Sequence, residues 1–273
     1  MQVFDTHCHL GLDGLGEPRD EHGRALAASV TDCLIVGIDA ATSAAARDLA
    51  RTLAGARWSA GLHPNDADRF AADWDALRAL AALPDCAAIG ETGLDFYRDR
   101  VPPPAQAASL RAHLALARER RLPVILHCRD AFAALHGELV PVAPVRGVMH
   151  CFSGTAEQAL AAIALGLHVS FAAPLGYRKN DALRAAALAV PEDRLLVETD
   201  APFLPPQSRR GERNEPAFVR ETLQTLAAVR GWDETRAADV THRNAVSLFG
   251  AAGGTGGSTQ SVRSNPESLP PSA

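Results

Sequence analysis

The stretch Asp5-Thr6-His7-Cys8-His9 follows a short β-rich run, Val3-Phe4, near the start of the chain. Side chains two positions apart on a strand lie on the same face, so His7 and His9 are expected to converge on one point. Imidazole is a suitable ligand for zinc, iron or nickel. The pair alone is weak evidence, because two half-exposed histidines at a strand end fit the same pattern. Its meaning depends on the rest of the chain.

Short apolar β-rich runs alternate along the chain with longer alanine-rich amphipathic stretches. The predicted strands are Gln2–His7, Asp32–Ile38, Trp58–His63, Ala87–Glu91, Pro123–His127, Val145–His150, His168–Phe171 and Leu195–Thr199. The predicted helices are Thr42–Ala54, Asp73–Leu83, Ala105–Arg121, Ala131–Val140, Ala156–Leu165, Asn180–Leu188, Pro216–Arg230 and Asp233–Leu248. Strands that alternate with helices indicate a parallel sheet, and eight such units predict an α/β fold of the (β/α)₈ TIM-barrel type. The alternative is an open doubly wound sheet, but no glycine-rich dinucleotide fingerprint follows the first strand.

The length and composition fit one barrel domain. The chain has 273 residues, of which 47% are hydrophobic, enough for a large core. It contains no long uncharged apolar run, and no basic and apolar leader precedes Asp5, so we expect neither a membrane span nor a secretory signal. The five cysteines are an odd number without paired spacing, which favours reduced thiols and a cytoplasmic location.

The charge balance limits the kind of partner. A formal net charge of −5 argues against a broadly basic nucleic-acid-binding surface, although it does not exclude a nucleic-acid substrate. Lys179 is the only lysine in the sequence. It lies beyond the seventh predicted strand, in a segment that leads into a helix, so a bridging carbamylated lysine of the kind found in some metal-dependent barrels is not expected here.

Residues that bind metals recur at the carboxyl ends of the predicted strands, which is where barrel active sites form. The candidate ligands are His7, His9, Glu91, His127, His150 and Asp200. Each has an ordinary alternative, since a carboxylate can cap a helix and a histidine can be a satisfied core residue. Six ligands exceed the four of a structural zinc site and the three of a mononuclear catalytic site. The count therefore predicts two ions that share a bridging carboxylate, for which Glu91 is the candidate.

The chain resembles the TatD family of metal-dependent deoxyribonucleases, within the amidohydrolase-like barrel superfamily. The matching segments are Phe4-Asp5-Thr6-His7-Cys8-His9, Gly61-Leu62-His63-Pro64, Gly90-Glu91-Thr92-Gly93-Leu94-Asp95, Leu122-Pro123-Val124 with His127 and Arg129, His150-Cys151-Phe152-Ser153-Gly154, Glu198-Thr199-Asp200-Ala201-Pro202 and Arg213-Asn214-Glu215-Pro216. The resemblance spans residues 1–250 and implies a TIM barrel with the six candidates as metal ligands. One departure is Asn65, where many members carry a second histidine; this affects the expected substrate contact rather than the metal ligands.

The expected chemistry is hydrolysis by a metal-activated water. Divalent ions lower the pKa of bound water and polarise a phosphoryl oxygen. Asp200 is expected both to bind metal and to act as general base, pure ligation being the alternative, and Glu91 is the second catalytic candidate. His63 is a candidate donor to a substrate phosphate, or it only packs beside Pro64. Arg129, two residues after His127, either faces the same barrel mouth or forms a supporting ion pair.

Some neighbouring residues have two interpretations. Tyr97, with Arg98 and Arg100, forms a basic aromatic loop that suits nucleic acid, although solvated loop charge explains it as well. Asp5 and Glu198, two residues before His7 and Asp200, are expected one layer lower, either orienting ligand histidines or pairing with an arginine. Asn214 and Glu215 precede Pro216 and fit helix capping.

The sequence thus predicts a cytoplasmic phosphodiesterase that trims single-stranded DNA ends from the 3′ side, using two divalent ions per chain (zinc, manganese or magnesium). It predicts a barrel domain over residues 1–250 and a flexible Gly/Ser/Pro-rich tail over 251–273. No membrane association and no obligate protein partner are expected. One alternative is an amidohydrolase-like enzyme that cuts a lactone, an amide or a small phosphoester; another is a noncatalytic nucleic-acid-binding barrel.

Overall fold

Eight parallel strands, each followed by helical structure, make up the fold. The computed structural model describes residues 1–12, 14, 16–98 and 100–250. The strands are β1 (Val3–Cys8), β2 (Val30–Ile35), β3 (Ala56–Ala60), β4 (Cys86–Asp95), β5 (Val124–Arg129), β6 (Gly147–Met149), β7 (Leu167–Phe171) and β8 (Leu195–Val197). The α-helices of the described residues are α1 (Pro18–Ala27), α2 (Ala40–Ala50), α3 (Phe70–Ala81), α4 (Pro103–Arg120), α5 (Phe132–Leu139), α6 (Ala156–Ala164), α7 (Asp181–Ala189), α8 (Val219–Arg230) and α9 (Glu234–Phe249).

The strands pair in chain order from β1 to β8 in one parallel sheet. The ring closes just beyond β8, where Asp200 N donates to His7 O at 2.9 Å and His9 N donates to Ala201 O at 2.7 Å. A parallel bridge between Cys8 and Ala201 lies at the same seam. The predicted (β/α)₈ TIM barrel is therefore confirmed, and the carboxyl ends of the strands meet at one mouth.

Apolar residues fill the barrel and the layer between the strands and the helices. Inside, one cluster joins strand residues such as Phe4, Ile125 and Leu196 to Leu248 and Phe249 at the end of α9. Near-complete burial of residues from opposite strands is the packed interior expected of this barrel. The end of α9 thus covers the barrel at the end opposite the mouth.

Besides shifts of a few residues at the ends of other strands, two elements differ from the sequence prediction. The strand β4 does not end at Glu91 but continues to Asp95, and its pairing with β5 shifts register between Ile89 and Thr92. The helix α1 was not predicted, because four of its ten residues are charged and no apolar stripe marks it, and it buries Glu21 and His22. The predicted tail, residues 251–273, lies outside the described residues. Among the described helices, none combines the length and the hydropathy that crossing a membrane requires.

Candidate metal centre

The two histidines of the first strand converge at the mouth. His7 and His9 are buried, and their Nε2 atoms lie 3.1 Å apart. The outer nitrogen of His9, Nδ1, lies 3.0 Å from the carbonyl oxygen of Val36 on the neighbouring segment. Between them, Cys8 joins the apolar cluster under α2 and α3, as the alternation of a strand requires. The predicted convergence of the two imidazoles is confirmed.

Glu91 lies at the centre of the histidines and is 3% exposed. Its Oε2 atom lies 3.4 Å from Nε2 of His7 and 3.6 Å from Nε2 of His9. Its Oε1 atom lies 2.7 Å from Nδ1 of His127 and 2.8 Å from Nε2 of His150. Each carboxylate oxygen therefore faces a different pair of imidazoles, which is the arrangement that a bridging carboxylate requires.

Asp200 joins the pair of histidines from β1. Its Oδ1 atom lies 3.7 Å from Nε2 of His7 and 3.6 Å from Nε2 of His9. The backbone at Asp200 has φ = 58° and closes the seam between β8 and β1, which fixes the carboxylate beside these rings. Its side chain is 13% exposed, more than that of Glu91, so Asp200 reaches the open side of the mouth.

Acceptors behind the histidines fix the orientation of the rings. Nδ1 of His150 lies 3.3 Å from Oε1 of Glu198, and Nε2 of His127 lies 3.4 Å from Oδ2 of Asp95. Metal-binding histidines commonly present their outer nitrogen to such an acceptor. Glu198 therefore lies where the sequence interpretation expected a carboxylate that orients a histidine, and the same oxygen accepts from Cys151 N at 2.7 Å.

The inner nitrogens of the histidines lie close to one another. The outer nitrogens of His9 and His150 face oxygen acceptors, so in the neutral ring the hydrogen lies on Nδ1 and Nε2 keeps a lone pair for a metal ion. Nε2 of His150 nevertheless lies 3.2 Å from Nδ1 of His127. Lone pairs and carboxylate oxygens brought this close fit a cation between them, and mixed imidazole and carboxylate ligands suit several divalent metals.

The electrostatics keep the two carboxylates ionised. Burial opposes the charged form of Glu91, but the nearby His150 and the hydrogen bond from His127 outweigh it and hold the pKa of this carboxyl well below its ordinary value. Burial also opposes ionisation of Asp200, yet the hydrogen bond from His9 lowers its pKa overall. Both groups are therefore anionic at neutral pH, the form that binds metal ions.

Three groups of side chains in the described part of the chain could each hold a metal ion. They are His7 with His150 and Asp200, His7 with His9 and Glu91, and His63 with Glu91 and His127. The structure thus brings all six sequence candidates into one cluster, as predicted, and it brings His63 into the same cluster. The sequence interpretation gave His63 only a substrate contact or a packing role.

His63 is held as a neutral ring. Burial lowers the pKa of its imidazole to about 4. Its Nδ1 accepts a hydrogen bond from the backbone N of Asn65 at 3.1 Å, and its Nε2 lies 3.5 Å from Oε1 of Glu91. Asn65, the departure noted in the sequence, donates through Nδ2 to Oδ2 of Asp95 at 3.0 Å. Asn65 therefore supports the acceptor behind His127.

Arg129 lies at the rim of the mouth. Its guanidinium stacks on the ring of Tyr97, with Cζ 3.9 Å from the ring centroid. Within the described ranges no carboxylate lies at ion-pair distance from it, so the supporting ion pair considered for Arg129 is not formed there. The turn that carries Tyr97 is fixed by Asp95, whose Oδ1 accepts from the backbone N of Tyr97 and of Arg98, each at 3.0 Å.

Two sequence interpretations are corrected. Asp5 neither orients a histidine ring nor pairs with an arginine; it accepts from Thr199 N at 2.9 Å and from Thr199 Oγ1 at 2.6 Å across the seam. Asn214 does not cap the following helix; it donates to the carbonyl oxygens of Thr199 at 2.9 Å and of Phe203 at 2.6 Å. Glu215 pairs with Arg24 instead of capping. Local sequence could not reveal these partners, because they lie far away in the chain or in a loop.

A (β/α)₈ barrel whose strand ends carry converging imidazoles and carboxylates defines a class, the metal-dependent barrel hydrolases. Residues 4–250 match the family described as "TatD related DNase". The chain therefore belongs to the TatD family of metal-dependent hydrolases.

Relatives and solved structures agree with this assignment. The chain is 38% identical over 258 residues to a protein of Citrobacter rodentium named 3′-5′ ssDNA/RNA exonuclease TatD, covering 91% of this chain and 98% of that protein. It is 35% identical over 251 residues to a Bacillus subtilis protein named uncharacterized metal-dependent hydrolase YabD, covering 90% and 98%. The crystal structure of YjjV, a TatD homologue from Escherichia coli, superimposes with a TM-score of 0.86 at 28% identity, covering 90% of this chain and 97% of that chain.

Proposed function

We propose that this chain is a divalent-metal-dependent phosphodiesterase that removes nucleotides from the 3′ end of single-stranded DNA. The observation that carries the proposal is the position of Glu91, whose two oxygens face the His7/His9 pair and the His127/His150 pair separately. A bridged pair of divalent ions is a common device for phosphoester hydrolysis, because it can contact both the attacking and the leaving oxygen.

The proposed ligands divide into two sets that share Glu91. His7, His9 and Asp200 would hold one ion with Oε2 of Glu91, and His127 and His150 would hold the other with Oε1. The ions would supply Lewis-acid contacts to phosphate and lower the pKa of bound water. Zinc, manganese and magnesium remain the candidates, since ligands of this kind accept several divalent metals.

Asp200 is the proposed general base. It is ionised, it lies beside His7 and His9, and it is more exposed than Glu91. A general base must come within hydrogen-bond reach of the proton that it accepts. Asp200 satisfies this condition for a water molecule at the open side of the cluster.

His63 and Arg129 are the proposed substrate contacts. Because Nδ1 of His63 accepts from Asn65 N, the neutral ring carries its hydrogen on Nε2, which can donate to a phosphate oxygen. The guanidinium of Arg129 is exposed at the rim, where it can attract the nucleic-acid backbone. Local positive charge of this kind compensates for the net charge of −5 of the whole chain.

The choice of single-stranded DNA and of 3′ polarity is supported by the name of the Citrobacter relative rather than by geometry. The direct test uses single-stranded oligodeoxynucleotides labelled at either end and incubated with zinc, manganese or magnesium, with and without chelator. We expect a ladder that shortens from the 3′ end and stops when the metal is removed. RNA of the same sequence and a panel of lactones and amides are the comparison substrates.

Three results would contradict the proposal. Cleavage of a lactone or an amide with no cleavage of DNA would favour the broader amidohydrolase chemistry. Tight DNA binding without turnover in the presence of each metal would indicate a noncatalytic binding protein. Degradation of DNA that chelator does not affect would show that the reaction needs no metal ion.

A further inference from the structure

The rim of the mouth exposes two aromatic rings on opposite sides of the candidate metal centre. Tyr97 is 58% exposed and Phe203 is 51% exposed, and Phe96, the one other exposed Phe, Tyr or Trp among the described residues, is 37% exposed. Tyr97 follows β4 and Phe203 follows β8. These two strands are four positions apart in a sheet of eight, so the segments that carry Tyr97 and Phe203 leave the barrel on opposite sides of the mouth.

Phe203 is fixed beside the histidines of β1. The centroid of its ring lies 6.0 Å from that of His9, at an interplanar angle of 67°. Its backbone N donates to Asp200 O at 2.9 Å. The amide of Asn214, itself 1% exposed, donates to Phe203 O at 2.6 Å. A buried side chain thus holds an exposed ring in position, so little ordering is needed when a ligand binds.

Tyr97 is fixed in a corresponding way beside His127. Its backbone N donates to Oδ1 of Asp95 at 3.0 Å, and Oδ2 of Asp95 lies 3.4 Å from Nε2 of His127. Arg129 covers one face of the Tyr97 ring. The stack combines an aromatic surface with a positive charge that forms no ion pair within the described residues, and this is the combination that binds a base and its phosphate.

We propose that Phe203 and Tyr97 each stack on a base, one on either side of the phosphodiester being cut. This inference rests on the proposed function and adds to it the residues that select the substrate. Every nucleobase has a π-face, so recognition of this kind tolerates any sequence. Bases within a duplex already stack on their neighbours and pair with the other strand, so the two rings favour unpaired nucleotides.

The test combines ring removal with base removal. The variants are Phe203→Ala, Phe203→Leu (which keeps an apolar side chain without a ring), Phe203→Trp (which restores a ring), Tyr97→Ala and Tyr97→Phe. The matched control is Leu188→Ala, which removes an apolar side chain that is 56% exposed on the outer helix α7. Substrates are single-stranded oligonucleotides that lack one base at each of the last four positions in turn.

We expect Phe203→Ala and Tyr97→Ala each to raise KM for intact DNA by about 5- to 150-fold, the range that base stacking gives, with a smaller change in kcat. Phe203→Leu should behave like Phe203→Ala, whereas Phe203→Trp and Tyr97→Phe should stay near wild type. For each ring, one of the four oligonucleotides that lack a base should be bound equally well by the wild type and by the alanine variant, because the base that stacks on that ring is already absent. The variants should fall in the same order when their affinity for DNA is measured by fluorescence anisotropy with chelator present, where binding occurs without cleavage.

The outcomes separate this inference from the proposed function. If wild-type protein degrades DNA but Phe203→Ala and Tyr97→Ala bind and cleave DNA to the same extent as the control Leu188→Ala, the stacking role is wrong. The proposed phosphodiesterase activity would be unaffected by that result. If replacing the ring and removing a base lower the affinity for DNA independently at each of the four positions, stacking is also contradicted. If wild-type protein neither binds nor cleaves single-stranded nucleic acid, both the proposed function and this inference fall.

Discussion

Oε1 of Glu91 lies 2.8 Å from Nε2 of His150, while the other oxygen of the same carboxylate faces the histidines of β1. The two residues come from different strands, and closure of the barrel brings them together. An anionic carboxylate and an imidazole nitrogen this close need a positive charge between them, which a ring proton or a bound metal ion supplies. The predictions below follow from this arrangement and from the residues that support it.

Replacement of the proposed general base should separate chemistry from metal binding. We expect Asp200→Asn to lower kcat on single-stranded DNA by about 10²- to 10⁴-fold, the range for loss of a general base. The amide keeps an oxygen ligand, so the metal content should fall much less than the rate. Steady-state kinetics and elemental analysis of the same sample provide the measurement. Unchanged kcat with a complete metal complement would show that another group accepts the proton.

Loss of the acceptor behind His150 should weaken metal binding. Glu198→Gln replaces the carboxylate that faces Nδ1 of His150 at 3.3 Å. We expect the affinity for the metal to fall by about 10- to 100-fold, as for other residues that orient a ligand histidine. Titration of the metal-free protein measures this directly. Glu138→Gln, which alters a surface carboxylate paired with Arg111, is the control and should bind metal normally; a normal affinity in Glu198→Gln would be the contrary result.

A buried histidine remote from the ligands should make stability depend on pH. Burial lowers the pKa of His113 to about 4, and its Nε2 accepts from Leu62 N at 3.2 Å. The unfolded chain takes up this proton near the ordinary histidine pKa of about 6.5. Stability is therefore lost as the pH falls from about 6.5 toward 4, by about 2 kcal/mol between pH 7.5 and pH 5.

The test of this effect compares urea unfolding of wild type and of His113→Gln at the two pH values, both in chelator. Glutamine can accept from Leu62 N and donate to Ser109 O, which lies 2.8 Å from Nδ1 of His113, but it does not titrate. The difference in unfolding free energy between the proteins should shift by the stated amount in favour of the variant at the lower pH. An unchanged difference would show that His113 is not held neutral.

The proposed domain boundary also has a simple consequence. We propose that residues 1–250 contain the complete catalytic domain, because the sequence beyond Gly250 is rich in glycine, serine and proline and poor in apolar side chains. Truncation after Gly250 should leave the melting temperature and kcat/KM within error of the full chain. A loss of activity with an unchanged melting temperature would assign a functional role to the removed segment.

The sequence predicted those features that depend on the spacing of apolar residues and on which residues end the strands. Alternating strands and helices determine the barrel, and the recurrence of His, Glu and Asp at strand ends located the cluster. Most other contacts between segments that lie far apart in the chain were not predicted from the sequence. The charged helix α1 escaped prediction because ion pairs such as that between Glu21 and Arg213 hold it in place, rather than an apolar stripe.

The supporting contacts depend on the three-dimensional arrangement. Asp95 was open in the sequence between orienting a ligand histidine and pairing with an arginine, and the structure places it at the end of β4 with Oδ2 3.4 Å from Nε2 of His127. Asn214 looked like a capping residue because Pro216 follows closely, but its partners belong to the loop after β8. Such side chains bind to groups whose positions are set only when the barrel closes.

The central claim is that two divalent ions share Glu91, and the metal content of the purified protein tests it most directly. The protein is loaded with zinc or manganese, freed of excess metal by gel filtration and measured by elemental analysis, beside Glu91→Gln and the control Glu138→Gln. We predict two ions per chain for the wild type and the control, and fewer than one for Glu91→Gln. A single ion in the wild type, or two ions retained by Glu91→Gln, would contradict the account.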